Sequence, residues 1–237
     1  MIDGNRVLAV ITARGGSKGL PGKNVLPAAG KPLVAFSVEQ ALASRHIDRL
    51  VISSDDPVII EAAVRFGCEA PFVRPAELAR DESSSADVLV HALRQIPGYD
   101  LAVLLQPTSP LREAGDIDAC LERAVRTGAH SCLSVVRVEK GPHWMLTVDS
   151  AGEVSPYLGW EGFAARRQEL PAVFCPNGAV YVVRTGWFLE SRRFLAEGTQ
   201  AHVMPSERSL DIDSALDFKI FKSIIEEDDA AATRSRR

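Results

Sequence analysis

The sequence predicts an α/β protein whose core is a doubly wound, mostly parallel β-sheet. Apolar runs of strand length, the first of them VLAVITA from Val7, alternate with segments whose apolar residues recur at helical spacing. At 237 residues the chain is long enough for one large domain, which buries roughly 70% of its unfolded surface. In such a fold, ligands bind at the carboxyl ends of the strands.

The first half of the chain shows this alternation clearly. VLAVITA predicts the first strand, and residues 32–45 predict an amphipathic helix with Pro32 at its first position, where proline is favoured. RLVISS predicts the next strand, and residues 57–66 and 85–96 predict two helices with the short apolar run APFVR between them. DLAVLLQ predicts the strand that follows.

The second half is interrupted by an insertion. GDIDACLERAVRTG predicts a helix that ends at Gly128, and HSCLSVVRV predicts a strand. Between about residues 141 and 171 the alternation stops and a hairpin turning at residues 149–152 is predicted, so we interpret this region as an inserted β-rich lobe. NGAVYVVR, a short helix near Trp187 and AHVMP then restore the pattern.

The chain closes with SLDIDSALDFKIFKSIIEE, which predicts a strand end running into a final helix. The polar residues 227–237 predict a disordered tail. We interpret residues 1–237 as a single domain that contains the lobe.

Composition and charge exclude several classes of protein. A net charge of −4 and a pI near 5.8 argue against a nucleic-acid partner. No apolar run approaches the ~18 residues of a membrane helix and no signal peptide is evident, so we expect a cytoplasmic protein without a membrane partner. The four cysteines, which are Cys68, Cys120, Cys132 and Cys175, lack metal-site spacing and are expected to be reduced thiols in the core.

A glycine-rich basic loop, ARGGSKGLPGKN, follows the first strand. Two phosphate-binding templates fail here, because the P-loop spacing puts Ser17 where a glycine belongs and the GxGxxG spacing is absent. Residues 15–19 match GxSxG, the nucleophile elbow of α/β hydrolases. An elbow turns directly into a helix, whereas Pro21 and Pro27 keep this chain in a loop, so the hydrolase interpretation is disfavoured.

The favoured interpretation of this loop is an anion site. Its length of roughly 17 residues exceeds an ordinary connection between a strand and a helix, and long loops in compact domains are usually functional. Glycines let backbone N–H groups approach an anion, while Arg14, Lys18 and Lys23 neutralise its charge. A polyphosphate suits this chemistry.

A second polar loop, in LLQPTSPLR, follows a buried strand. The strand delivers Gln106, Thr108 and Ser109 to the same edge of the sheet, and Pro107 and Pro110 stiffen the loop. Such a loop can bind a sugar or a base by hydrogen bonds, although Ser and Thr also serve as capping residues in turns.

Two carboxylates lie close together in LDIDSALD. On a strand, Asp211 and Asp213 point to one face while Ile212 points to the other. Paired carboxylates suit Mg²⁺, which fills its remaining coordination sites with water and phosphate. Asp213 or Ser214 could instead cap the last helix, and the two roles are compatible.

Taken together, these segments resemble a known family. The motifs ITARGGSKGLPGKN, SSD, RPAELARD, LLQPTSPLR, RRQELP, PNGAVYV and DIDSALD are similar, in this order, to those of the acylneuraminate cytidylyltransferases, the CMP-sialic acid synthetases. The resemblance implies a Rossmann-like nucleotidyltransferase that converts CTP and a nonulosonic acid to the CMP-sugar and pyrophosphate with Mg²⁺. It also implies a homodimer in which the inserted lobe helps to complete the neighbouring site.

The resemblance assigns a role to individual residues. The triphosphate loop would comprise Arg14, Gly15, Gly16, Ser17, Lys18, Lys23 and Asn24; Arg74 and Ser85 would hold the cytidine; Gln106, Thr108, Arg167 and Tyr181 would contact the sugar; and Asp211 and Asp213 would hold the metal. Arg167 would bind the sugar carboxylate.

One residue departs from the family pattern. Sialic acid enzymes have a lysine that reaches across the dimer from the lobe, and Trp144 aligns with it. Its apolar surface suits a substrate with an extra acylamido or deoxy group. Legionaminic and pseudaminic acid are therefore candidate substrates beside N-acetylneuraminic acid.

The implied reaction is attack of the anomeric hydroxyl of the sugar on the α-phosphorus of CTP. Arg14, Lys23 and Asp211 are the predicted catalytic residues, the first two as stabilisers of the leaving pyrophosphate. The general base is either Asp211 or water. Two alternatives are another sugar nucleotidyltransferase of this architecture and a nucleotide-binding protein without turnover, although the latter has no need of a carboxylate pair.

Overall fold

The computed structural model describes residues 1–160, 163 and 170–235. Its strands are β1 (Val7–Thr12), β2 (Pro27–Ala28), β3 (Lys31–Pro32), β4 (Arg49–Ser53), β5 (Leu101–Leu105), β6 (Ser131–Arg137), β7 (Leu146–Val148), β8 (Val154–Pro156), β9 (Phe174–Arg184) and β10 (Gln200–Met204). Its α-helices are α1 (Leu33–Ala43), α2 (Pro57–Arg65), α3 (Ser85–Gln95), α4 (Ala114–Thr127), α5 (Thr185–Ser191) and α6 (Ala215–Ser235). This order confirms the predicted alternation.

The central sheet is mostly parallel, as predicted. Among the described strands its order is β10-β6-β9-β5-β1-β4. β1 pairs in parallel with β4 and β5, and β10 pairs in parallel with β6. β9 runs antiparallel to β5 and β6, because it follows the inserted lobe and not a crossover helix.

Helices cover both faces of this sheet, which makes it doubly wound. Along β1, Val7, Ala9 and Ile11 belong to one core cluster with side chains of α1, α2 and α4. Leu8 and Val10, which alternate with them, belong to a second cluster with side chains of α3 and α5. A strand buried on both faces has an unbroken apolar sequence, which explains VLAVIT.

Two short strands in the region predicted as an inserted lobe form a two-stranded sheet separate from the central one. β7 and β8 pair antiparallel, and Asp149 accepts hydrogen bonds from the N–H groups of Ala151 and Glu153 in the turn between them. The predicted hairpin is therefore confirmed. Its part in a dimer stays a prediction.

Two segments near the carboxyl end differ from the expectation. Residues 209–214 form no strand, because the N–H of Ile212 donates to the Thr108 carbonyl oxygen (2.8 Å) and not to a neighbouring strand. Helix α6 continues to Ser235, whereas the sequence predicts a disordered tail from residue 227. The three consecutive alanines at residues 230–232 have the highest helix propensity and favour helical continuation.

The cysteines divide into two groups. Cys68, Cys120 and Cys132 are buried free thiols, as expected, whereas Cys175 is exposed. The first three residues of β9 are all exposed, so a cysteine at that end of the strand lies outside the core. Separately, no helix within the described residues is long and apolar enough to cross a membrane.

A buried ion cluster joins α4 to the β10 edge of the sheet. Asp116 is 2% exposed and accepts hydrogen bonds from Arg208 Nη2 (2.8 Å), Arg208 Nε (3.1 Å) and His202 Nε2 (3.2 Å). Burial alone would raise the pKa of Asp116, but these hydrogen bonds hold it well below its usual range. The cluster therefore stabilises the fold while Asp116 is ionised.

We predict that Asp116→Asn lowers the free energy of unfolding by about 2–3 kcal/mol at pH 7, the scale of hydrogen bonds to a charged group. The folded pKa lies below the unfolded value of about 4, so the wild-type advantage is present above pH 4 and is lost as the pH falls through the folded pKa. Urea unfolding of both proteins at pH 7 and at about pH 2.5 measures it. An equal difference at the two pH values would refute the assignment.

Candidate active site

Three segments meet at the carboxyl edge of the sheet. β1 and β5 lie side by side with Ile11 opposite Leu105, so the loops that follow them begin next to each other. The hydrogen bond from Ile212 to Thr108 brings the carboxylate segment to the same place. The three segments border a cleft of about 650 Å³.

Most of the site residues predicted from the sequence line this cleft. They are Arg14, Ser17, Lys18, Lys23, Asn24, Arg74, Ser85, Gln106, Thr108, Asp211 and Asp213. Gly15, Gly16, Trp144 and Tyr181 are not among the lining residues, and Arg167 lies outside the described residues. The fold thus assembles the nucleotide and metal candidates in one cleft, while the roles given to them stay predictions.

The basic loop packs tightly against the carboxylate segment. A Cβ atom on Gly19 would lie 2.4 Å from the backbone carbonyl oxygen of Asp213, too close for any side chain. Asn24 is buried and donates from Nδ2 to the Arg14 carbonyl oxygen over 3.0 Å, which closes the loop on itself. Residue 19 must therefore be glycine because of this close approach.

Gly15 packs against the chain and not along the cleft. Its N–H donates to Asp55 Oδ1 over 3.1 Å, and a Cβ atom on it would lie 2.7 Å from Asp56 Oδ2. This N–H, which the sequence suggested for an anion, is engaged by a carboxylate of the chain itself. A Cβ atom on Gly16 would meet open space.

Each of the three predicted cations of the basic loop is paired with a carboxylate. Lys23 Nζ donates to Asp213 Oδ1 (3.1 Å) and to the Ile212 carbonyl oxygen (2.9 Å). Arg14 and Lys18 both pair with Asp81, Arg14 through Nη2 and Oδ1 at 2.7 Å. The three positive charges of the loop are therefore partly offset by two carboxylates, Asp81 and Asp213, from two other segments.

Arg74 is a buried cation at the end of β4. It is 5% exposed and donates from Nε to Ser53 Oγ (3.1 Å) and from Nη2 to the Ser53 carbonyl oxygen. Burial lowers the pKa of Arg74 to about 10, so it stays charged at neutral pH. Ser85 lies nearby at the start of α3, directly after Ser84, which caps that helix.

A buried arginine supports the Gln106 loop. Arg112 is 1% exposed and donates from Nη1 to the carbonyl oxygens of Ala179 (2.7 Å) and Gln106 (3.3 Å), and from Nη2 to Ser37 Oγ (2.6 Å). Gly178 has φ of +76°, and a Cβ atom there would lie 2.8 Å from Gln106 Oε1. These contacts fix both the backbone and the side chain of Gln106.

The two carboxylates face the cleft although their segment is not a strand. Asp211 and Asp213 line the cleft, whereas Ile212 between them is fully buried. Partial burial and then the charge of Asp213 raise the pKa of Asp211, against a hydrogen bond with Thr108 and the charge of Lys23, which lower it. The repulsion between these two carboxylates is only partly offset by their neighbours, which favours a bound cation. Their hard oxygens are the ligands that Mg²⁺ prefers, so the pair fits this metal.

Of the two residues that the sequence offered as a cap for the last helix, Ser214 takes the role. Ser214 Oγ accepts from the Asp217 N–H (3.3 Å), and Asp217 Oδ2 accepts from the Ser214 N–H (2.7 Å), at the start of α6. Asp213 is left to pair with Lys23. The capping and metal interpretations are therefore compatible.

The two described sugar candidates outside the cleft lining differ in position. Tyr181 lies on β9 against Phe194, with ring centroids 5.1 Å apart, and burial and the nearby Asp211 raise its pKa. Trp144 ends a short 3-10 helix in the lobe. Because Trp144 is assigned to the site of a neighbouring subunit, its position in a single chain does not test that role.

Sequence reasoning missed several residues of the cleft. Arg80, Asp81 and Ser83 line it, yet only Arg74 of the RPAELARD motif had been given a role. The signal was the acidic residue that ends this motif. The role of this residue, Asp81, depends on a turn that brings it into contact with Arg14. The spacing of the motif does not predict that turn.

Comparison with known proteins shows which family the sequence matches. Residues 8–152 match the model of a family described as cytidylyltransferase. The chain is 34% identical over 227 residues to the CMP-N,N'-diacetyllegionaminic acid synthase of Legionella pneumophila, covering 93% of this chain and 97% of that protein. It is 32% identical over 216 residues to an N-acylneuraminate cytidylyltransferase of Escherichia coli, covering 91% of this chain and 51% of that protein, so it spans about half the length of this relative.

A solved structure of similar fold is that of a CMP:2-keto-3-deoxy-manno-octonic acid synthetase complexed with CTP. The TM-score is 0.73 at 19% identity, over 94% of this chain and 99% of the other. At this identity the likeness supports the fold alone. The family match covers more than half of the chain, and the sequence relatives extend over most of the remainder. The chain therefore belongs to the cytidylyltransferase family.

Proposed function

We propose that this chain transfers CMP from CTP to the anomeric hydroxyl of a nonulosonic acid and releases pyrophosphate. The observation that carries the proposal is the cleft in which a basic loop, a polar loop and a carboxylate pair converge, in a chain of the cytidylyltransferase family. The names of the relatives, a diacetyllegionaminic acid synthase and an acylneuraminate cytidylyltransferase, support a sugar acid as the acceptor.

Within this class we favour a diacylated acid of the legionaminic type over N-acetylneuraminic acid. The Legionella relative matches along nearly its whole length, whereas the Escherichia coli relative is about twice as long as the matched segment. Trp144 would also add apolar area to the sugar site where sialic acid enzymes offer a lysine. Pseudaminic acid is the second candidate.

The cleft offers groups complementary to both ends of CTP. Arg14, Lys18 and Lys23 can neutralise the triphosphate, and the guanidinium of Arg14 can bind two phosphate oxygens at once. Arg74, which Ser53 holds in place, would meet the cytidine together with Ser85. A fixed donor loses little conformational entropy on binding, which favours selectivity for the base.

Catalysis in this proposal depends on positioning and charge. Attack on the α-phosphorus moves negative charge onto the departing pyrophosphate, which Lys23 and Arg14 would stabilise. Asp211 and Asp213 would hold Mg²⁺, which when bound polarises the α-phosphate and lowers the pKa of the attacking hydroxyl. The proton acceptor is left open between Asp211 and solvent water.

We also propose a homodimer formed through the inserted lobe. The lobe exposes several large apolar side chains close in sequence, with Val148 65%, Tyr157 64% and Trp160 68% exposed. Clustered apolar surface of this kind marks interaction sites. Sedimentation velocity at micromolar concentration tests the proposal, and a monomer would contradict it.

The function is tested by measuring pyrophosphate release from CTP with several nonulosonic acids and Mg²⁺. We expect release that requires both CTP and a sugar acid, with a specificity constant for the legionaminic-type acid at least equal to that for N-acetylneuraminic acid. A preference for N-acetylneuraminic acid would overturn the sugar choice alone. CTP binding without release for any acid would favour the alternative of a nucleotide-binding protein, and a preference for UTP would indicate another nucleotidyltransferase.

We predict that Asp211→Asn and Asp213→Asn each lower turnover by at least ~10²-fold, the scale of removing a principal electrostatic contributor. Asp217→Asn is the control for loss of a carboxylate in this segment, because the amide oxygen can still accept the hydrogen bonds that Asp217 Oδ2 receives from the N–H groups of Asp213 and Ser214. Turnover at saturating Mg²⁺ and thermal unfolding are measured for all three. Near-normal rates in both site variants would remove the metal assignment.

We predict that Gly19→Ala lowers turnover about 10²-fold, because its Cβ atom would push the basic loop away from Asp213 and a displacement near 1 Å has this effect on positioned groups. Gly115→Ala, in α4 and outside the cleft lining, also adds a Cβ atom into open space and should leave turnover within about twofold. Equal rates for the two variants would show that the contact between Gly19 and Asp213 does not matter.

A further inference from the structure

The carboxylate of Asp81 bridges two cations of the basic loop. Its Oδ1 lies 2.7 Å from Arg14 Nη2, and its Oδ2 pairs with Lys18 Nζ. Two oxygens of one anionic group thus meet two cations from opposite ends of a glycine-rich segment. A phosphate group bound to the same two side chains would use its oxygens in the same way.

The turn that carries Asp81 is held by its own hydrogen bonds. Ser83 Oγ accepts from the Arg80 N–H (3.2 Å) and donates to the Glu77 carbonyl oxygen (3.0 Å), and the Ser83 N–H donates to the Arg80 carbonyl oxygen (3.2 Å). Asp81 projects from this turn to the basic loop, and both segments line the cleft. The turn can therefore keep its shape when the Asp81 side chain changes partner.

The two ion pairs are exposed enough to exchange. The side chains of Arg14, Lys18 and Asp81 are 31%, 81% and 40% exposed. Ion pairs in contact with water are weak, because solvent screens them and two flexible side chains must be ordered. The hydrogen bond with Lys18 and then that with Arg14 lower the pKa of Asp81, so the carboxylate is ionised at neutral pH.

We propose that Asp81 is an internal competitor for the phosphate chain of the nucleotide. In the free protein it occupies Arg14 and Lys18, and it is displaced when a polyphosphate binds. The inference rests on the proposed function, since it assumes that these two cations receive the triphosphate. Its consequence is a weaker apparent affinity for nucleotide than the cations alone would give, because only the fraction of molecules with Asp81 displaced can bind.

The proposal is tested with inorganic tripolyphosphate and CTP as probes in titration calorimetry. Asp81→Asn should bind tripolyphosphate about threefold to 30-fold more tightly than wild type, the range expected from releasing two exposed ion pairs. Asp81→Glu, which keeps the charge, should stay close to wild type. Glu82→Gln removes the same charge from the neighbouring residue and should change the affinity by less than about twofold.

The outcomes separate this inference from the function on which it rests. If tripolyphosphate and CTP compete in wild type and Asp81→Asn binds no more tightly than Glu82→Gln, the competitor role alone fails. Weaker binding by a folded Asp81→Asn, verified by its thermal unfolding, would also overturn it and would show that Asp81 orders the cations for the ligand. If wild type binds neither probe, the proposed function fails together with the inference.

Discussion

A backbone hydrogen bond and one buried side chain, both of Ile212, anchor the segment that carries the carboxylate pair. The N–H of Ile212 donates to the carbonyl oxygen of Thr108, and the Ile212 side chain is fully buried in a cluster with Leu33 and Phe221. These two residues belong to α1 and α6, so the segment is tied at once to a loop after β5 and to two helices. None of these contacts uses a group that a ligand would need. The pair is therefore positioned before anything binds, as electrostatic catalysis requires.

The cations around the cleft are of two physical kinds. Arg14, Lys18 and Lys23 are paired with two carboxylates, which offset part of their charge in the free protein. Arg74 and Arg112 are buried and donate to neutral carbonyl and hydroxyl oxygens, and within the part of the chain that the structure describes neither forms an ion pair with a carboxylate. A fixed charge in a region of low dielectric acts on the cleft more strongly than a solvated one. The first kind can exchange partners, whereas the second supplies a constant field.

Local sequence patterns were sufficient to predict most of the helices and strands and most of the site residues within each loop. The unbroken apolar sequence of β1, the proline before α1 and Gly128 after α4 all indicate their structures directly. The structure of residues 209–214 was missed because alternation of polar and apolar residues also suits an extended segment that is anchored by one buried side chain. Asp81 and Arg112 were missed for another reason: their roles come from contacts with residues 67 or more positions away, at Arg14, Ser37 and Ala179.

The antiparallel direction of β9, which the alternating pattern did not predict, decides where the inserted lobe lies. β6 ends at the carboxyl edge of the parallel strands, and β9 begins at that edge, with Cys175 opposite Val136. The chain between them therefore leaves and re-enters the sheet on the side of the cleft. A parallel strand in this position would have to begin at the opposite edge, and the lobe would then need a crossover to reach the site. The antiparallel direction of β9 also places Gly178 near this edge of the sheet, directly against the Gln106 side chain.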